Sequence, residues 1–328
     1  MRKQEYGGFL PLELNKKKEY FQYAPEDIRR YNCGRTAISM AVADHRVDKF
    51  FVPYFTCDTV LEALEEQNIS VERYHLTEDM LPENLEQMRR EAGDTGILLV
   101  NYYGLMGAQT KKCMSGFQRV ILDNTQAFFE PPVLQTGVSN IYSCRKFVGV
   151  PDGAYLIEKN TNAPALSSEL SWNHYEFICH SYECGTNAAY QENLENDARF
   201  HSERAGMSQL TRDVLACADY QGIYEARRTN FLHLQERLGA INRMKFSESD
   251  AAPYLYPFWT ERDQGAVLRA ALLKEKIYPP VLGKDWLVSC TADSLEAQWT
   301  RDVLYLPVDQ RYGTEDMDVI SDVVLNVL

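Results

Sequence analysis

Apolar and polar residues alternate in blocks over the first half of the chain. Between about residues 30 and 160, short apolar runs are separated by stretches with helical spacing, and Ile97-Leu98-Leu99-Val100 is an uninterrupted example of such a run. Uninterrupted apolar strands are typical of a sheet that is covered on both faces. The pattern therefore predicts an α/β fold in which helices cover a mostly parallel mixed sheet. The predicted strands cover residues 50–55, 69–74, 96–101, 119–122, 140–143 and 154–157.

Helices are predicted where apolar residues recur every three or four positions. Residues 57–67 form one such stretch, and residues 208–238 form a long one that we expect to break near Gly222. The C-terminal part is expected to form a smaller α+β lobe. Its predicted elements are a helix at 264–275, a strand at 303–306 and a closing helix at 315–328. The predicted division is an N-terminal arm at 1–29, a large domain at 30–222 and a small domain at 223–328.

Composition and charge limit the classes of partner. Apolar residues make up 45% of the 328 residues and charged residues 25%, as in ordinary globular proteins. The net charge of −13 disfavours nucleic acids and anionic membranes as main partners, because both bind positive surfaces. No apolar run reaches the roughly 18 to 20 residues that span a bilayer, and the start lacks the apolar core of a signal peptide. We therefore expect a cytoplasmic protein.

The cysteines and histidines do not form a recognisable metal or disulfide pattern. Eight cysteines are scattered without a C-x-x-C pair, so we interpret them as free thiols. Cys179, His180 and Cys184 are zinc-ligand types, but no second cluster follows them, and we predict no metal site. The chain also lacks a Gly-x-Ser-x-Gly elbow and a P-loop, which disfavours acyl transfer and nucleotide hydrolysis.

Two charged residues follow neighbouring predicted strands. Asp123 comes directly after Val120-Ile121-Leu122, and Lys146 lies just beyond the next strand. Ligands of open parallel sheets bind at the carboxyl ends of the strands, so both side chains are placed for chemistry. Partial burial would lower the pKa of the lysine and make it a usable amine nucleophile. The alternatives are a helix-capping aspartate and an ordinary surface lysine.

A possible phosphate cradle lies earlier in the chain. Gly34, Arg35 and Thr36 open a predicted helix, where a glycine allows close approach and free backbone N–H groups suit a phosphate. Many helices start in this way without a ligand. However, a phosphate cradle, a carboxylate and an amine are together the three anchors that a pyridoxal phosphate site needs.

The order and spacing of several segments resemble those of the DegT/StrS-type aminotransferases, which are fold type I pyridoxal-phosphate enzymes. The resemblance runs from about residue 32 to residue 157 and resumes at 207–238, with a fainter match at 306–309. The segments that carry it are Val52-Pro53-Tyr54-Phe55-Thr56-Cys57-Asp58-Thr59, Val120-Ile121-Leu122-Asp123-Asn124-Thr125-Gln126-Ala127, Ser143-Cys144-Arg145-Lys146, Pro151-Asp152-Gly153-Ala154 and Met207-Ser208-Gln209-Leu210.

The resemblance implies a role for each matching residue. Lys146 would be the Schiff-base lysine and proton carrier, and Asp123 would keep the pyridine nitrogen protonated. Gln126 would contact the ring hydroxyl. Asn101 would lie near the ring. The phosphate would be bound by Gly34, Arg35, Thr36 and Ser143.

The chain also departs from the family pattern. Cys57 stands where the family has an aromatic residue stacked on the ring, so stacking falls to Tyr54 or Phe55 or is lost. The loop that carries the lysine is shortened. The family's asparagine from the second subunit is replaced by the segment at residues 203–206, which leaves that phosphate contact unassigned.

The resemblance implies a pyridoxal-phosphate-dependent aminotransferase that acts as a homodimer. It would move an amino group from a donor such as glutamate to a keto or aldehyde acceptor, with a nucleotide-linked sugar as one candidate acceptor. Two alternatives stay open. One is a pyridoxal-phosphate dehydratase or lyase, because the pocket selects which bond breaks. The other is a binding protein on a catalytically degenerate fold.

Overall fold

A computed structural model describes residues 6–246, 251–260, 264–284 and 290–328. The first five residues of the predicted N-terminal arm lie outside the described residues. Within the described ranges the strands are β1 (Ile28–Tyr31), β2 (Lys49–Pro53), β3 (Ser70–Tyr74), β4 (Gly96–Val100), β5 (Val120–Asp123), β6 (Val138–Ser143), β7 (Ala154–Ile157), β8 (Leu255–Phe258) and β9 (Leu304–Pro307).

Helices connect and cover these strands. The α-helices in the described ranges are α1 (Gly34–His45), α2 (Asp58–Glu65), α3 (Leu85–Glu91), α4 (Gly107–Cys113), α5 (Glu176–Cys184), α6 (Tyr190–Arg199), α7 (Gln209–Leu215), α8 (Tyr220–Leu238), α9 (Gly265–Lys274), α10 (Leu295–Asp302) and α11 (Thr314–Leu325). Single turns of 3₁₀-helix occur at Tyr102–Gly104 and Trp172–His174.

Seven strands form one mixed sheet in the order β1-β7-β6-β5-β4-β2-β3. The five strands from β6 to β3 are parallel, whereas β7 is antiparallel to both of its neighbours. Asp123 is paired with Val100 on one side and with Ile141 on the other. The carboxyl ends of β4, β5 and β6 therefore meet at one edge of the sheet, and the predicted fold class is confirmed.

The central strands are buried along their whole length, which explains their uninterrupted apolar sequence. Every residue of β4, β5, β6 and β7 is buried. Helix α1 packs against β6 and β7, and α2 packs against α1 and β3. Each buried aliphatic side chain contributes on the order of 2 kcal/mol to the stability of such a core.

The small lobe is built on the antiparallel pair β8–β9. Helix α11 packs against α8 and α9, and α10 packs against α9. Trp299, Tyr256 and Tyr305 are completely buried in this lobe. The predicted domain boundaries at residues 29 and 222 stay predictions.

The predicted strands and helices are all present, with ends that differ by a few residues, and the expected break in the long helix is confirmed. The helix consists of α7 and α8, which are separated by residues 216–219, just before Gly222. The Asp219 side chain caps α8 by accepting a hydrogen bond from the Gly222 N–H at 3.1 Å. Gly222 is therefore in the first turn of α8, directly after the break.

A buried polar cluster lies at the edge of the large sheet that is opposite the carboxyl ends of β4, β5 and β6. The Ser139 hydroxyl contacts His45 Nε2 at 3.0 Å and donates a hydrogen bond to Glu158, which also accepts one from Thr161. Burial, aided by the Arg119 guanidinium, lowers the pKa of His45 to about 4. Burial raises the pKa of Glu158 to about 7.

The His45→Gln variant is expected to change how stability depends on pH. An unfolded histidine binds a proton below about pH 6.5, whereas His45 in the fold stays neutral until about pH 4, so its contribution is lost as the pH falls. Between pH 7 and pH 5 the wild type should lose about 2 kcal/mol of unfolding free energy relative to the variant. Glu158 acts in the opposite direction in both proteins, so urea unfolding of the two at both pH values isolates the histidine. Identical pH dependence of the two proteins would contradict the prediction.

Candidate active site

Asp123 and Lys146 lie close together at the carboxyl edge of the large sheet. Asp123 ends β5 and is buried, and its Oδ1 accepts a hydrogen bond from the Thr125 N–H at 2.9 Å. Lys146 is on the loop between β6 and β7, and its Nζ donates to Thr125 Oγ1 at 3.3 Å. The carboxylate and the amine therefore share Thr125 as a neighbour.

The amine of Lys146 is partly buried and has a lowered pKa. Burial is the main cause, and the Arg145 guanidinium acts in the same direction, while Asp123 and Cys57 oppose it. The Tyr254 ring centre lies 5.7 Å from Nζ. A lowered pKa increases the fraction of neutral amine near neutral pH, which is the form that attacks a carbonyl carbon.

Thr125 connects three of the predicted anchors, and its role was missed in the sequence. Besides its contacts to Asp123 and Lys146, its methyl group would lie 3.3 Å from a Cβ built on Gly34. The start of α1 therefore lies directly against Thr125. The only sequence signal for this residue is its position in the Asp-Asn-Thr-Gln segment.

The other two residues of the predicted phosphate cradle are held by protein partners. The buried Thr36 hydroxyl donates to Asn32 Oδ1 at 2.8 Å. Arg35 forms an ion pair with Glu62 at 2.7 Å and donates to the Phe200 carbonyl at 3.1 Å. Only its Nε, buried in the fold, has no hydrogen-bond partner among the described residues.

Both candidate stacking rings pack against other aromatic side chains. The Tyr54 ring stacks on His75, with 4.3 Å between ring centres and 24° between planes. Phe55 is completely buried and contacts the ring of Trp299 at 5.5 Å between centres. Cys57 precedes α2, and its thiol donates to Asp58 Oδ1 at 3.2 Å. Cys57 acts electrostatically on the pKa of Lys146, in the direction that raises it.

The amides of Asn101 and Gln126 stabilise the turn that follows β4. Asn101 Oδ1 accepts from the Met106 N–H at 2.8 Å, and Gln126 Oε1 accepts from the Tyr103 N–H at 2.9 Å. Tyr103 is completely buried and has a φ of 57°. A positive φ costs free energy in a residue other than glycine, so the bond from Gln126 helps to hold this conformation.

A cavity of about 590 Å³ opens beside the lysine, between the lysine loop, α5, α6 and the small lobe. Ser143 and Lys146 are on its wall. The other residues predicted to bind the cofactor, including Asp123, are not. The charged and aromatic residues of the wall are Arg145, Lys146, Asp197, Arg227, Tyr254, Tyr278, Asp309 and Arg311, together with Phe147 and Phe177.

The cavity wall is positive although the chain is acidic. Arg145 pairs with Asp197, and Arg311 pairs with Asp309 through two contacts of 2.7 and 2.9 Å. These pairs cancel, which leaves the charge of Arg227 in excess, together with that of Lys146 whenever its amine is protonated. Burial lowers the pKa of Arg227 to about 10, so it stays protonated at neutral pH.

Arg227 and Gln310 hold the backbone of the lysine loop from the side of the small lobe. Arg227 Nη2 donates to the Lys146 carbonyl at 3.1 Å, and its Nε donates to Gln310 Oε1 at 3.2 Å. Gln310 Nε2 in turn donates to the Phe147 carbonyl at 2.8 Å. Charge-assisted bonds from a buried guanidinium are stronger than neutral ones, so this pair restrains the loop.

The other end of the loop is tied to α7. The buried Asp152 carboxylate accepts from the Ser208 N–H at 2.8 Å and from the hydroxyl groups of Ser208 and Thr211. Burial raises the pKa of Asp152, and these hydrogen bonds oppose that effect. The Pro-Asp-Gly turn is therefore tied to Ser208, the N-cap residue of α7, and to its first turn.

Comparison with known proteins finds similarity in structure alone. No protein-family model matches the sequence, and no curated protein matches it. A sugar aminotransferase, Spr1654 from Streptococcus pneumoniae, superposes with a TM-score of 0.66 at 12% identity over 92% of this chain and 88% of its own. A DegT DnrJ EryC1 StrS aminotransferase from Brucella abortus gives 0.62 at 17% identity over 91% and 85%. The chain has the DegT/StrS aminotransferase fold.

Another protein with the DegT/StrS aminotransferase fold catalyses a different reaction. The E coli GDP-4-keto-6-deoxy-D-mannose-3-dehydratase superposes with a TM-score of 0.62 at 12% identity over 90% of this chain and 87% of its own. Identities this low establish the fold and leave the reaction open. Among the described residues, no helix has the length and apolar character needed to cross a membrane.

The Thr125→Val variant tests the contact to the amine. Valine keeps the shape but removes the oxygen that accepts from the lysine ammonium, so the pKa of Lys146 should fall further, by about half a unit to one unit. The pH dependence of reductive methylation at Lys146, followed by peptide mass spectrometry, measures this. Thr110→Val is the control, because its buried hydroxyl donates to the Gly107 carbonyl. An unchanged pKa in Thr125→Val would show that the contact does not act on the amine.

Proposed function

We propose that this chain is a pyridoxal-phosphate-dependent aminotransferase. It moves an amino group from a donor such as glutamate to a keto or aldehyde acceptor, with sugars and nucleotide-linked sugars as the candidate acceptor class. The observation that carries the proposal is that buried Asp123 and the amine of Lys146, whose pKa is lowered, both contact Thr125 at the carboxyl edge of this fold.

The residues at this edge fit the cofactor. Lys146 provides an amine, Asp123 provides a buried carboxylate, and the first turn of α1 lies against the threonine that both contact. The N–H groups of a first helical turn suit a phosphate. Ser143 adds a hydroxyl on the cavity wall, and the buried Nε of Arg35 is a further donor. The two Spr1654 structures, named as PLP and PMP forms, support the same cofactor by similarity of fold.

Each residue then has a definite task. The bound cofactor supplies an aldehyde for the amine and a ring that withdraws electrons from the reacting carbon. The carboxylate of Asp123 would keep the ring nitrogen of the cofactor protonated by its negative charge. Lys146 Nζ would carry the proton that leaves the α-carbon of the donor and, in the second half of the reaction, the one that is added to the acceptor carbon. Arg227 and Gln310 keep the lysine loop in place, and the positive cavity attracts anionic substrates.

A dehydratase is the second candidate. The E coli dehydratase matches this chain with the same TM-score, 0.62, as the Brucella aminotransferase. In such an enzyme the same carboxylate and amine would act on a different bond of the substrate. Release of a keto acid from the amino donor without an aminated second product would favour this candidate.

The proposal includes a cytoplasmic homodimer. Large apolar side chains near the cavity are exposed, with Leu170 at 70%, Trp172 at 74% and Tyr182 at 91%. A second copy that covers them would remove this surface from water. Sedimentation should therefore give the mass of a dimer, and Trp172→Ser with Tyr182→Ser should weaken it. A monomer with full amino transfer would contradict this part of the proposal.

The Lys146→Ala variant tests the central role of the lysine. Borohydride reduction followed by mass spectrometry should find the cofactor attached to the wild type at Lys146 and not attached to the variant. Amino transfer should fall by roughly 1000-fold or more, because both the covalent anchor and the proton carrier are lost. Lys159→Ala is the matched control, since Lys159 is exposed and lies outside the site. A variant that keeps full transfer would exclude the mechanism, and a wild type that binds the cofactor without turnover would indicate a binding protein.

A further inference from the structure

Three metal-ligating side chains meet at a point that the proposed reaction does not use. His75 directly follows β3, Glu296 is in the first turn of α10, and Cys290 precedes that helix. A nitrogen of His75, the Cys290 sulfur and a Glu296 oxygen all lie within 4.8 Å of one another. None of the three is on the wall of the cavity beside Lys146.

The separation of the His75 nitrogen and the Glu296 carboxylate suits a tetrahedral ion. His75 Nδ1 lies 3.2 and 3.1 Å from the two oxygens of Glu296. Two ligands at the usual zinc bond lengths of about 2.0–2.1 Å are separated by about 3.3 Å in a tetrahedral site. The nitrogen and the carboxylate are therefore already at the separation of two ligands on one ion.

Neighbouring groups fix the orientation of these donors. The Tyr54 ring stacks on the imidazole of His75 at 4.3 Å between centres. The Leu76 N–H donates to Glu296 Oε1 at 2.9 Å, and the carboxylate side chain is only 1% exposed. Such outer contacts orient ligands and strengthen metal binding.

The charges of the three side chains match a divalent ion. One thiolate and one carboxylate balance the charge of a divalent ion, so the filled site would be neutral beside Arg73. Without an ion, the negative charge of the nearly inaccessible Glu296 carboxylate is stabilised by His75, the Leu76 N–H and the nearby Arg73 charge.

We propose that His75, Cys290 and Glu296 bind a Zn²⁺ ion, with water in the fourth position. Sulfur and imidazole ligands exclude Mg²⁺ and Ca²⁺, which take oxygen, and three mixed ligands with one open position are common for zinc. The ion would join the end of a strand in the large sheet to α10, which packs against α9 in the small lobe. It would thus link the two lobes at a point that is not part of the cavity wall.

Zinc titration of the chelator-stripped, cofactor-free full chain tests this site. With a chromophoric chelator as competitor, the wild type should bind one equivalent of Zn²⁺. Cys290→Ser and His75→Gln should each weaken binding by more than the roughly 10- to 100-fold that loss of an outer contact costs. His180→Gln is the matched control, because His180 forms a similar pair with Glu192, at 2.9 Å, next to Cys179 and Cys184. Thermal unfolding of the metal-free variants checks that each is folded.

Cobalt substitution provides a second measurement that does not depend on affinity. Co²⁺ accepts the same ligands, so the wild type should show a sulfur-to-metal absorption band that Cys290→Ser lacks and His180→Gln keeps. Two results would overturn the proposal: failure of the folded wild type to bind one equivalent, or binding that is lost in His180→Gln and kept in Cys290→Ser. Neither measurement involves the cofactor, so their outcome is independent of the proposed aminotransferase activity.

Discussion

Parallel pairing of β5 with its two neighbours is the constraint on which the site depends. The pairing places the carboxyl end of β5 beside those of β4 and β6, so Asp123, the turn after β4 and the lysine loop converge at one edge. Thr125 then contacts both the carboxylate and the amine. A shift of β5 by one residue would turn Asp123 to the other face of the sheet and separate these groups.

The lysine loop is held at both ends by residues that are distant in sequence. Arg227 and Gln310 bind its carbonyl groups, and Asp152 ties the following turn to α7. A buried guanidinium must form most of its hydrogen bonds, because an unpaired buried charge is strongly destabilising. The hydrogen bonds that make the burial of Arg227 possible are therefore the same ones that restrain the lysine loop. Through them the small lobe fixes the position of the amine.

Electrostatics in the cavity are set by local pairing and not by the total charge. The chain carries a net charge of −13, yet the wall beside Lys146 has more positive than negative groups. Arg145 belongs to this wall, because it directly precedes Lys146 in the lysine loop. Arg35 does not, because Glu62 and the Phe200 carbonyl hold its guanidinium. The excess comes instead from Arg227, together with Lys146 whenever its amine is protonated, within a wall that the small lobe completes.

The sequence by itself determined six of the seven strands of the large sheet, the class of fold and the placement of Asp123 and Lys146 at its carboxyl edge. These are local properties, since a fully apolar run predicts a buried strand and a polar residue at its end lies at the ligand-binding edge. Edge strand β1 was not recognised, since its Arg29-Arg30 pair gives no apolar pattern. Tertiary structure alone decided that Tyr54 stacks on His75, that Phe55 is buried beside Trp299 and that Arg35 pairs with Glu62. Tertiary structure alone also decided that Gln310 binds the lysine loop and that His75 lies beside Cys290 and Glu296. Side-chain partners that are far apart in the chain are chosen by packing and not by spacing.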